Sequence, residues 1–67
     1  MRLVIENSDP DKEPVFLISD VVPKVGEQIS LDRAVVTVKR VTYRCDRQRA
    51  APAAAFFYVE DVLVEVE

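Results

Sequence analysis

An all-β fold of five strands, arranged as a curved antiparallel sheet or a small barrel, is what this sequence predicts. Three observations carry it. Two long segments, residues 34–45 and 56–67, alternate apolar and polar residues with period two. Each slips phase once, at the adjacent charges Lys39-Arg40 and Glu60-Asp61. A strand with one buried face changes phase only by admitting an extra residue, so each slip reads as a bulge or sharp bend. Lastly, no window sustains the i, i+3, i+4, i+7 stripe of an amphipathic helix. Only Ala50 to Ala55 could form a brief helical turn, and Pro52 interrupts it.

The strands follow in order. Residues 1–6 set Leu3 and Ile5 against Arg2, Val4 and Glu6. Asn7 to Pro14 is a dense turn signal of two prolines and residues that form local side-chain turns. Residues 14–20 hold the short apolar run Val15 to Ile18. The next reversal, Pro23 to Glu27, contains Gly26, the only glycine and so the one site where a positive φ carries no penalty. Residues 27–31 carry Ile29 and Leu31 on one face, and Asp32-Arg33 forms a tight connection into the fourth strand. There Val36, Val38, Val41, Tyr43 and Cys45 take the inward phase. In the fifth strand Phe57, Val59, Val62, Val64 and Val66 do so. Val4, Val35 and Leu63 take the outward phase.

An antiparallel register in which paired numbers sum to about 100 matches the two long strands. It sets Val36 against Val64, Val38 against Val62, Val41 against Val59 and Tyr43 against Phe57. The two slips then coincide, with Lys39-Arg40 facing Glu60-Asp61.

At 67 residues the chain allows a single domain, 1–67, with one modest core. Cys45 is the only cysteine, so no internal disulfide forms; it reads as a small buried hydrophobe. Packing or self-association must supply the stability. The net charge of −3 is unevenly spread: Arg33 to Arg49 carries six bases and one acid, the remainder three bases and eleven acids. No apolar run approaches the length of a membrane span, and Glu6 comes too early for a secretory signal. A cytoplasmic protein with no membrane partner is expected.

The run Val22-Pro23-Lys24-Val25-Gly26-Glu27-Gln28-Ile29-Ser30-Leu31, followed by Val38-Lys39-Arg40-Val41-Thr42-Tyr43, resembles small SH3-like β-barrel proteins of bacteria and their phages. The resemblance covers about a third of the chain and concerns architecture. A phage-type inhibitor or adaptor is what it implies for function.

The chemistry of the residues argues against catalysis. The chain has no histidine, no nucleophile elbow and no phosphate-cradling glycine loop. Adjacent Glu60 and Asp61 point to opposite faces of a regular strand and so do not form a catalytic pair. Asp9, Asp11 and Glu13 lack the central glycine and distal glutamate of a calcium loop. No catalytic residue, cofactor or metal is therefore expected. What remains is a binding surface of Arg44, Arg47 and Arg49 with Phe56 and Tyr58, two residue types enriched in interface hot spots. It predicts a non-catalytic binding module that engages another protein or a second copy of itself. The alternative is a binder of single-stranded nucleic acid or a nucleotide, using the arginines on phosphate and the rings for stacking.

Overall fold

The computed structural model describes residues 1–48 and 56–67 and shows five strands with no helix among them. They are β1 (Arg2–Asn7), β2 (Val15–Ile18), β3 (Gln28–Leu31), β4 (Ala34–Gln48) and β5 (Phe56–Val66). Among the described residues, then, no helix is long and apolar enough to cross a membrane. The strands form one sheet in the order β2-β1-β5-β4-β3, curved into a half-barrel. Arg49 and the proposed helical turn at Ala50 to Ala55 lie outside the described residues.

The sheet is mixed, which corrects the purely antiparallel expectation. β1 pairs β2 antiparallel on one side and β5 parallel on the other, with Leu3 beside Val62 and Ile5 beside Val64. This places β5 at the centre, where Val62, Val64 and Val66 are fully buried with Leu3, Ile5 and Val38, and Val36 is buried beside them. Ile29, Leu31, Val22 and Val41 pack on the margin of that cluster. The period-two pattern works as read here: one face of each strand enters the core. Burying each such aliphatic side chain contributes about 1.5–3 kcal/mol.

Turns fall where their residues demand them. Asn7 and Asp9 carboxamide and carboxylate oxygens accept the N–H groups of Asp9 and Asp11, closing two side-chain turns. Gly26 takes φ +92°, and the Glu27 carboxylate accepts the Lys24 N–H beside it. Asp32 and Arg33, with φ +47° and +74°, form the two-residue loop of the β3–β4 hairpin, closed by Leu31 opposite Ala34.

Both phase slips are bulges, but they do not face each other. Lys39 is the extra residue of β4, between the pairs Val38/Val66 and Arg40/Glu65. Glu60 is the extra residue of β5, between Arg44/Asp61 and Cys45/Val59. The register is thus four to five residues from the expected one: Val41 faces Val64 and Tyr43 faces Val62. Consequently Tyr43, Cys45, Phe57 and Val59, expected in the core, are exposed. Val4, expected outside, is buried at 6% exposure, in an outer-face row with Phe16, Leu63 and Thr42. The expected pairing of Lys39-Arg40 with Glu60-Asp61 is replaced by three others. Lys39 meets Glu67 at 3.6 Å, Arg40 meets Glu65 at 3.4 Å, and Arg44 meets Asp61.

Candidate functional site: the β4–β5 ribbon

β1 flanks β5 only as far as Val62, and β3 flanks β4 only over its first residues. Past Arg44 and Asp61 the two long strands continue as a bare two-stranded ribbon. It stretches the molecule to 48 × 23 × 18 Å and its radius of gyration to 14.4 Å. A compact domain of this length would have a radius of about 11 Å.

The base of the ribbon is fixed by a charge cluster. Arg44 donates through Nε to Asp61 Oδ1 at 2.5 Å and through Nη2 to Asp61 Oδ2 at 2.6 Å. This fork-to-fork geometry is the strong form of the ion pair. Asp61 is the one buried charged residue among those described. Hydrogen bonding to Arg44, then the charges of Arg44 and Arg2, holds its carboxyl below the usual carboxylate range despite burial. The same hydrogen bond raises Arg44 further. Both ends of the bond are satisfied, so Arg44 is occupied as a structural group.

Beyond this base the two faces of the ribbon differ. One face, continuous with the core side of the sheet, carries Cys45 and Arg47 from β4 and Val59 and Phe57 from β5, with Tyr43 on the same face just inside the base, opposite Val62. Tyr43 is 53% and Phe57 65% exposed, values far above those of the buried valines next to them. The Arg47 guanidinium sits 5.9 Å from the centroid of the Phe57 ring, within cation–π range. The other face holds Asp46 opposite Tyr58, whose hydroxyl donates to Asp46 Oδ2 at 3.4 Å. The Asp46 charge, followed by desolvation and this bond, raises the Tyr58 phenol above its ordinary value.

The residues expected to form one surface are therefore distributed. Arg47 lies on the core-side face; Arg44 and Tyr58 lie on the opposite one. Phe56 begins β5 with its backbone opposite Gln48, and Arg49 lies outside the described residues. Tyr43, Phe57 and Val59 join the surface although their alternation assigned them inward. The signal for them was the ribbon's length: a small core cannot cover strands of 15 and 11 residues from end to end.

Two clefts of about 200 and 180 Å³ occur among the described residues. The smaller lies between the β1–β2 and β3–β4 turns over Ile5, Val15, Leu31 and Val36. Both are below the ~300–1,000 Å³ of ordinary ligand pockets. The exposed ribbon is the larger chemical feature. No family model, curated protein or solved structure matches this chain.

Proposed function

We propose that this chain is a non-catalytic binding module whose β4–β5 ribbon docks on another protein. The supporting observation is the side-by-side exposure of Tyr43, Phe57 and Val59 with Arg47 stacked on Phe57. Large rings on stiff strands lose little conformational freedom on binding, and arginine resting on a ring is already oriented. An apolar strip of this kind in a soluble protein marks an interaction surface. Arg47 then contributes a charged, forked donor at the edge of an apolar contact, suited to a carboxylate or carbonyl on the partner.

The same rings and cations are the reason to consider single-stranded nucleic acid. Within the described residues of the ribbon, however, Arg44 is engaged by Asp61, which leaves Arg47 to meet phosphate. Acidic overall charge works against that encounter as well.

A photo-reactive phenylalanine analogue at position 57 tests the proposal in cells. Adducts to one protein species, absent when the analogue replaces Val25 on the far side of the fold, are the expected result. Equal adducts at both positions would refute it. A short oligonucleotide added at low salt should leave the Arg44 to Gln48 amide signals unmoved. Shifts there that fade as salt rises would transfer the function to nucleic acid.

A further inference from the structure

The sheet has a second exposed apolar feature, along its β2 edge. β2 is the terminal strand beside β1, and all four of its residues are exposed, with Phe16 at 70% and Ile18 at 75%. The Ser19 N–H donates to the Met1 carbonyl at 2.9 Å. Leu3/Leu17 and Ile5/Val15 lie two and four positions along the same antiparallel register. Hydrogen-bonded pairs alternate, so these residues exchange the β1–β2 bonds, and Phe16 and Ile18 turn their N–H and C=O groups to the free edge.

Among the described residues the other free edges are mostly guarded, the uncovered β5 edge from Phe57 to Val59 ending at the Glu60 bulge. The open side of β4 carries Lys39, Arg40, Arg44, Asp46 and Arg47 and the Lys39 bulge. The β3 edge, four residues long like β2, differs in bearing polar Gln28 and Ser30. Charges, bulges and polar edges are the devices that prevent strand addition. Val15-Phe16-Leu17-Ile18 contains no charge, no proline and no bulge.

We propose that this edge joins two copies of the chain, β2 against β2, antiparallel about a two-fold axis at Leu17. Residues directly opposite in an antiparallel pair must both face the partner or both face away. Phe16 can therefore face Phe16 or Ile18 of the second copy, but not Leu17. Centring on Leu17 sets Phe16 across from Ile18 twice and gives every outward N–H and C=O of these two residues a partner. Centring on Phe16 instead sets Ile18 across from Pro14, which has no N–H to return. The Leu17-centred register also places aromatic against β-branched side chains, a favourable cross-strand combination. Carried one step past the strand ends, it brings no acids together: Asp20 faces Pro14, and Glu13 faces Val21. Lys12 of each copy stands diagonally from Asp20 of the other. This self-complementarity selects a second copy over a foreign strand, and a two-fold pair closes on itself. The surface is separate from the ribbon, so a dimer leaves both ribbons free.

Two four-residue edges make a small interface, which sets the dissociation constant on the order of 10 μM to 1 mM. Sedimentation equilibrium up to about 1 mM chain should show a monomer–dimer equilibrium in that range. Ile18→Pro removes an outward N–H without touching the β1–β2 bonds and should weaken the dimer at least about tenfold. Ile18→Lys, which keeps the backbone intact, should do the same, with far-UV circular dichroism unchanged for both. In a Cys45→Ser background, Leu17→Cys should oxidise to a disulfide dimer faster than Phe16→Cys. The two Leu17 positions face each other as a non-hydrogen-bonded pair, at about 4.5 Å between Cα atoms. A monomer at every concentration overturns the proposal, as does a dimer indifferent to both Ile18 variants. A dimer abolished by Phe57→Ala instead would assign self-association to the ribbon. A ladder of higher species would indicate β2 pairing with β3, which also overturns it.

Discussion

Arg33 holds a φ of +74° with a full side chain, in the second position of a turn that favours glycine there. A non-glycine residue in the left-handed region is strained by about 1 kcal/mol. Arg33→Gly should therefore raise stability by up to about 1 kcal/mol, less whatever glycine adds to the freedom of the unfolded chain. Urea unfolding measures this as a higher midpoint at constant slope. Asp61 makes a different residue-scale prediction. Its folded-state carboxyl titrates below the ordinary value of 3.8, chiefly through its hydrogen bonds to Arg44. The unfolded chain thus binds that proton first as the pH drops. The stabilisation is complete above about pH 4 and is lost as the pH falls through the lowered folded value. Urea midpoints between pH 7 and pH 2 should decline in the native protein, and Asp61→Asn should be lower at pH 7 with a flatter acid limb. An equal acid decline in both proteins would remove Asp61 from this role.

At the scale of elements, the two bulges explain what the sequence made legible. Each phase slip identified its bulge correctly, at Lys39 and at Glu60, because a change of face within one strand is a local property. Their relative placement was not local. Extra residues set directly opposite each other would cancel and leave the ribbon straight. Offset along the ribbon, each one bends it, and that curvature closes the half-barrel. Valine facing valine scores alike in several registers, so apolar matching alone did not decide among them. β1 adds a constraint that the two long strands do not carry themselves, seating Leu3 and Ile5 beside Val62 and Val64. Nothing in the alternation announces that parallel neighbour. The strand list, the Gly26 turn and the Asp32-Arg33 loop were readable for the opposite reason, since each depends on adjacent residues. Val64, central and fully buried, should lose about 2–3 kcal/mol on substitution to Ala, measured by the same urea transition. Deleting Lys39 should cost less: it makes Val38/Val66 and Arg40/Glu65 consecutive pairs with every residue on its present face, so only the local bend and the Lys39–Glu67 ion pair are lost and a cooperative urea transition should persist.

For the whole molecule, the core and the proposed interaction surface lie at different places. The core occupies the half-barrel, whereas the aromatic strip starts at Tyr43, opposite Val62, and runs out along the ribbon past Asp61. Replacing residues 46–58 with an Asn-Gly turn between Cys45 and Val59 should keep the unfolding free energy within about 1 kcal/mol, since no core side chain is removed. With the photo-reactive analogue moved to exposed position 43, outside the replaced segment, the same shortening should abolish the proposed crosslink to a partner protein. A collapse of the fold on shortening would show instead that the ribbon is part of the cooperative unit. The proposed binding surface was only partly legible for a related reason. Arg47 and the aromatic run were recognisable as types, but whether Tyr43 and Phe57 face core or solvent depends on where β1 stops covering β5.

The parallel contact between β1 and β5 has a bearing on how the chain comes off the ribosome. Leu3 and Ile5 find their central neighbours only in β5, after β2, β3 and β4 have been made, so the β1–β2 hairpin waits with that side open while the intervening strands emerge. Closing so long a loop before any reward slows folding. Translation speed and chaperone supply, more than the depth of the finished energy well, should then govern how much active protein a cell obtains.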